Sequence, residues 1–163
     1  MAAPASQLED LYEQMGPALL AYFRQHPVLA GAAEDLLQDT FVRAFRGWDR
    51  LRNSVSPRAY LFGIARNVGY DALRRHRPAG ALLEEPAVPA EDERLERMRQ
   101  AIAGLPTPQR EALLLKLQYE LSYLEIAEVL GIPVGTVRSR LHLAVAHLKL
   151  QLNPPPLPAA PAP

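Results

Sequence analysis

The 163 residues carry 18 Lys and Arg against 18 Asp and Glu, so the formal net charge is zero. With no cysteine there is no disulfide frame, thiolate metal site or thiol nucleophile, and the four histidines are scattered, so neither a metal centre nor a catalytic thiol is expected. No apolar run approaches the roughly 20 residues of a spanning helix and no basic-then-apolar segment opens the chain, so the expectation is a cytoplasmic protein without membrane insertion.

In chain order, Ser6 with Glu9 predicts a capping box for a helix carrying Leu8, Leu11, Tyr12, Met15, Leu19, Tyr22 and Phe23. Gly16-Pro17 predicts a kink or restart within it. A second helix is predicted over 32–47, with Leu36, Leu37, Phe41, Ala44 and Phe45 at mixed three- and four-residue spacing. Glu34, Asp35, Gln38 and Asp39 gather near its start, where the helix dipole favours negative charge. Asp35, Gln38 and Asp39 also share a face, and such an acidic face can equally dock a basic protein partner. A polar turn is predicted over 50–56, and Ser56-Pro57 supplies a cap and first helical position for a third helix that runs to about Arg77.

Stepping about 100° per residue along this third helix gathers Leu61, Ile64, Ala65, Val68 and Ala72 on one side. Arg66, Tyr70 and Arg77 lie opposite, with Arg74 at the edge. A row of guanidiniums with an aromatic among them can track phosphates and stack a base, although the same pattern also describes a basic face that only meets water. Trp48, Tyr60 and Phe62 bracket the loop containing Asn53; aromatics beside a polar loop can hold an unstacked base for roughly 1–3 kcal/mol, the alternative being burial in the core. The neutral total hides this asymmetry, since residues 35–78 hold nine Arg against four Asp, while 79–99 hold six acids against three Arg.

Gly80, Pro86 and Pro89 among small and acidic residues predict a flexible linker over 79–90. Helical periodicity resumes near Glu91 through Leu95, Met98, Ile102 and Leu105, is broken by Pro106 and Pro108, and continues through Leu113, Leu114 and Leu117. Ser122 and Glu125 then predict a second capping box, Ile126, Ala127 and Leu130 an apolar stripe, and Gly131 with Pro133 a helix stop. Val137, Leu141, Ala144, Val145 and Leu148 recur at helical spacing after that turn, with Thr136, Arg138, Ser139 and Arg140 among them. This pattern predicts a helix-turn-helix whose second helix opens on hydroxyls and guanidiniums, the groups that read a major groove. No segment alternates with period two. The expected fold is therefore all-α, with two small helical domains over 1–78 and 91–152, the linker 79–90 between them, and a disordered Pro/Ala-rich tail over 153–163.

Three segments resemble a known family. Ala33-Glu-Asp-Leu-Leu-Gln-Asp-Thr-Phe-Val-Arg-Ala-Phe-Arg46 and Tyr60-Leu-Phe-Gly-Ile-Ala-Arg-Asn67 resemble region two of bacterial sigma factors of the sigma-70 family, and the segment from Leu105 through Leu141 resembles region four. The short linker, with no region three, is similar to the extracytoplasmic-function (ECF) group. The resemblance implies a dissociable initiation subunit of RNA polymerase, with no catalytic residues and no cofactor. It implies that the helix over 33–46 binds the coiled coil of the polymerase clamp through Asp35, Gln38, Asp39 and Arg43. It further implies that Trp48, Asn53, Tyr60, Arg66, Tyr70, Arg74 and Arg77 capture and melt the −10 element, and that Thr136, Arg138, Ser139 and Arg140 read the −35 element. An anti-sigma factor is a further implied partner.

The chain departs from the family pattern where Tyr60 and Gly63 stand in place of the usual Trp and Arg. Pro133 replaces a capping Ser, and few basic residues follow Arg140. Two other readings remain open, a sigma-like mimic that occupies an anti-sigma regulator and a plain helix-turn-helix regulator.

Overall fold

Capping chemistry and buried apolar stripes set the helix boundaries in the computed structural model, which describes residues 4–76 and 92–156. The first half contains α1 (Pro4–Arg24), α2 (Pro27–Ala30), α3 (Ala33–Arg46), α4 (Trp48–Arg52) and α5 (Pro57–Arg75). The second contains α6 (Glu93–Ala103), α7 (Thr107–Leu117), α8 (Tyr123–Leu130) and α9 (Val134–Leu152). Among the described residues all regular structure is helical, as the absence of alternating patterns predicts. The linker 79–90, Arg77 and the last seven residues of the tail lie outside the described residues.

Several local expectations are met. Ser56 accepts a hydrogen bond from the Ala59 amide and caps α5, with Pro57 at its first position. Ser122 and Glu125 form the reciprocal capping box of α8, with bonds of 2.8 and 3.2 Å. Gly131 adopts φ 64°, the left-handed turn residue that glycine tolerates best. Pro133 begins α9 with no side-chain cap.

Other expectations need correction. Helix α1 already begins at Pro4, so Ser6 and Glu9 lie inside it rather than at its cap. It also runs through Pro17 without restarting, because burial of Leu19 and Phe23 on its inner face offsets the local helix-breaking cost of proline, about 3 kcal/mol. The turn expected over 50–56 starts later, since burial of Leu51 draws residues 48–52 into the helix α4. Helix α2 was not legible in the sequence; His26 accepts from the Val28 amide, Pro27 sets the first turn, and Leu29 is buried. Phe45 and Val145, which share the apolar spacing of their helices, are 50% and 43% exposed.

The first core is built where α1 and α5 pack on α3, around Leu19, Phe23, Leu37, Phe41, Leu61 and Val68. Thr40 is the one buried polar residue among those described, and its hydroxyl donates to the Leu36 carbonyl at 2.7 Å. In the second half α9 packs against α7, α8 and α6, with Leu113, Ile126, Val137 and Leu141 inside. The two halves share one continuous core because α5 also packs on α8. Phe62, fully buried, lies 4.8 Å from the Tyr119 ring, and Tyr22 meets both rings edge-on at about 6 Å. Burial pushes the Tyr119 phenol up to about 12.

The turn of the helix-turn-helix supplies a test of this description. A Cβ on Gly131 would meet nothing within 4 Å, so the cost of a side chain there is backbone strain alone. Gly131→Ala is expected to lower unfolding stability by roughly 1–2 kcal/mol, and Gly131→Asn by clearly less, because Asn tolerates the left-handed region. Urea denaturation of the two variants measures the difference.

Candidate polymerase and nucleic-acid interfaces

Helix α3 sorts its side chains between core and solvent. Leu36, Leu37, Thr40, Phe41 and Ala44 face inward, and Asp35, Gln38, Val42 and Phe45 line the outward side at helical spacing. The exposed face is thus acidic and polar at its start and apolar at its end, with Val42 48% exposed. The acidic part is legible in the sequence. The apolar part is not, since Phe45 reads as core by spacing alone.

Asp39 and Arg43 are engaged within the fold. Arg43 holds Asp39 at 3.0 Å and reaches across to Asp71 of α5 at 3.3 Å. The hydrogen bond to Asp39 raises the Arg43 value, while Arg74 and then Arg43 hold the Asp71 carboxyl below its usual range. Of the four residues assigned to polymerase contact, Asp35 and Gln38 face outward and Arg43 ties α3 to α5.

Beside this tie lies an open cavity of about 580 Å³, lined by Arg43, Arg46, Arg50, Trp48, Tyr60 and Ile64. Trp48 and Tyr60 are half-buried, each presenting part of its ring. The Tyr60 hydroxyl donates to the Gly47 carbonyl at 3.4 Å, and a Cβ on Gly47 would collide with that hydroxyl. Glycine at 47 therefore lets Tyr60 close one wall. Arg43 is already tied to Asp39 and Asp71 and Asp49 also lines the cavity, so Arg46 and Arg50 beside the two rings are what suit a stacked base with its flanking phosphates. Arg46 and Arg50 were missed because they sit outside the face that the third helix displays. Asn53 is exposed at the end of α4 and donates to the Asp49 carbonyl at 2.9 Å.

The basic face expected on α5 is only partly open. Arg66 donates twice to Glu111 of α7, at 2.5 and 3.2 Å, and the two side chains are only 24% and 17% exposed. The bonds to Glu111 raise the Arg66 value against the opposing effect of burial. The same guanidinium lies 4.9 Å from the ring centre of Tyr70, which is itself partly exposed. Arg74 is exposed and paired with Asp71. At the start of α5, Ser56 donates to Glu125 of α8 at 2.6 Å and the Val55 amide donates to Glu128 at 3.3 Å. Between these contacts a Cβ on Gly63 would lie 3.8 Å from the Cα of Val129. Helical periodicity shows a polar face there but not what covers it. The run of small residues Ala59, Gly63 and Ala65 was the available signal.

On α9, Arg138 and Ser139 are exposed, and Thr136 and Arg140 are half-buried near the turn. The Ser139 hydroxyl donates to the Gly135 carbonyl at 3.1 Å. Leu143 and Val145 follow as exposed apolar side chains where further cations would strengthen phosphate contact. Among the described residues no group of His, Asp and Glu is placed to hold a metal ion, and no helix is long and apolar enough to cross a membrane.

Two measurements check this geometry. Gly47→Ala is expected to lower stability by roughly 1–3 kcal/mol through the forced collision, and adding Tyr60→Phe should recover most of it in a double-mutant cycle. Burial would raise the Glu125 carboxyl, but hydrogen bonds from Ser56 and Ser122 outweigh it and hold it below its ordinary 4.5. Its folded value lies below the unfolded one, so its stabilisation is complete above about 4.5 and fades as pH falls through the folded value. Ser56→Ala should flatten that acid limb of the stability curve.

Comparison with known proteins gives this geometry its context. The family model described as Sigma-70 region 2 matches residues 11–79, and Sigma-70, region 4 matches 95–148. The chain is 33% identical over 163 residues to the ECF RNA polymerase sigma factor SigL of Mycobacterium tuberculosis, covering 93% of this chain and 92% of that protein. It is 41% identical over 120 residues to SigC of the same species, covering 68% of this chain and 65% of SigC. The match thus spans about two-thirds of the length of SigC. A solved structure of the sigma factor RpoE in complex with the anti-sigma factor NepR, from Bartonella quintana, superposes with a TM-score of 0.66 at 27% identity over 91% of this chain and 98% of that one. On these matches to both regions and along nearly the whole of SigL, the chain belongs to the ECF group of the sigma-70 family.

Proposed function

We propose that this protein is an initiation factor that binds core RNA polymerase and directs it to a two-part promoter, catalysing nothing itself and acting in the cytoplasm with the polymerase. The observation that carries this reading is an Arg-Trp-Tyr cavity on a region-2 fold, followed in the same chain by a region-4 helix-turn-helix. Residues 1–78 form the unit for polymerase binding and the −10 element, 91–152 the unit for the −35 element.

Each surface has a distinct task in this reading. The outward side of α3 docks on the polymerase through Asp35, Gln38, Val42 and Phe45, with Asp39 and Arg43 at its edge. A charged start and apolar end supply orientation and burial respectively. The cavity beside Trp48 and Tyr60 takes an unstacked base, with Asn53, Tyr70 and Arg74 along the strand. Arg66 and, outside the described residues, Arg77 belong to the same proposed set. The first turn of α9, with Thr136, Arg138, Ser139 and Arg140, enters the major groove of the upstream element. A partner of the anti-sigma class follows from the same reading, by similarity to RpoE with NepR.

A second reading, a mimic that binds an anti-sigma regulator, is favoured by the exposed Leu143 and Val145 on α9. Run-off transcription from genomic fragments, with core polymerase and with or without the protein, separates the two. Initiation at discrete promoters is expected; no transcripts and no co-elution with core polymerase would refute the initiation reading. Arg138→Ala is expected to weaken upstream-element binding by about 1–3 kcal/mol while leaving co-elution intact. Phe45→Ala should do the reverse.

A further inference from the structure

The cavity beside Trp48 carries one group that a strand of DNA leaves unused. Asp49 stands in its lining with Arg46, Arg50, Trp48 and Tyr60. The residue is exposed, and its carboxylate makes no hydrogen bond or ion pair among the described residues; only its backbone carbonyl is engaged, by Asn53. An ionised carboxylate only accepts hydrogen bonds, so it repels a phosphodiester and finds no donor on the deoxyribose of a strand. A ribose with free 2′ and 3′ hydroxyls offers it two.

The rest of the lining fits such a molecule. Trp48 and Tyr60, each half-buried, offer aromatic surface to a base, and Ile64 adds an apolar side chain. Arg43 is occupied by Asp39 and Asp71, whereas Arg46 and Arg50 form no ion pair among the described residues. Two open guanidinium forks match two neighbouring phosphate groups. A terminal diphosphate also places more charge on them than the single charge of each phosphodiester in a strand. The cavity volume of about 580 Å³ lies within the roughly 300–1,000 Å³ usual for small-molecule sites.

We propose that this cavity is a site for a free ribonucleoside diphosphate. The base lies against Trp48 and Tyr60, the diphosphate accepts from Arg46 and Arg50, and the ribose hydroxyls donate to Asp49. Because the same rings take the promoter base, the bound nucleotide excludes it and lowers engagement of the −10 element. That consequence rests on the assignment of the cavity to promoter DNA; nucleotide binding itself does not.

Trp48 is the only tryptophan of the chain, so the intrinsic fluorescence of the whole protein reads this cavity. ADP and GDP are the probes, and each is expected to change the Trp48 emission saturably. The 2′-deoxy form, dADP, should bind about ten-fold more weakly, the weight of one hydrogen bond to a charged group. Pyrophosphate, lacking base and ribose, should compete with ADP only weakly. Asp49→Ala should bring ADP down to the level of dADP, and Arg50→Ala should weaken both, with circular dichroism checking that the variants stay helical. In a second arm, ADP should displace a labelled single-stranded DNA oligonucleotide, read by anisotropy. ADP binding no tighter than dADP or pyrophosphate, or a ribose preference that survives Asp49→Ala, would overturn the site. A bound oligonucleotide that saturating ADP leaves in place would overturn the competition. An Asp49-dependent ribose preference in a chain that binds no oligonucleotide and starts no transcripts with core polymerase would sustain the nucleotide site and refute the initiation reading instead.

Discussion

The contact of α5 with α8 is the constraint on which the rest of the arrangement depends. Gly63 stands where α5 comes close to the α8 backbone at Val129, and Phe62 and Tyr119 pack in a core that continues from one half into the other. A helix packed on one side could present its whole opposite face to solvent. Helix α5 is packed by α3, α1 and α8, and among the described residues its exposed positions are Pro57, Asn67, Tyr70, Arg74 and Arg75.

Electrostatics follow from that packing. The zero net charge includes an Arg-rich stretch in the first half and carboxylates in the second, of which Glu111 meets Arg66 and Glu125 meets the Ser56 hydroxyl. A half-buried ion pair such as Arg66 with Glu111 contributes modestly, because desolvation offsets much of its attraction. Arg46 and Arg50 line the cavity beside Trp48 and Tyr60, with Asp49 as its one acidic lining residue.

Much of the local structure was legible in the sequence, because capping and periodicity act within a few residues. Ser122 with Glu125, Ser56 with Pro57 and Gly131 each specify a helix end through their own backbone bonds. The outward Asp35 and Gln38 and the first turn of α9 were legible for the same reason. Phe45, Val145 and the role of Arg66 were not, since each depends on what another helix does. Periodicity identifies a face; the neighbour that covers it is a tertiary fact. Gly63 read as a departure from a family pattern, and only the approach of Val129 gives it a physical meaning.

The central claim is that a cavity of Arg, Trp and Tyr and a helix-turn-helix in one chain serve recognition of a two-part promoter. Footprinting of promoter DNA by core polymerase, with and without the protein, tests it most directly. The account predicts that the protein adds protection of two separated elements and unpaired bases at the downstream one. Protection of neither element in its presence would contradict it.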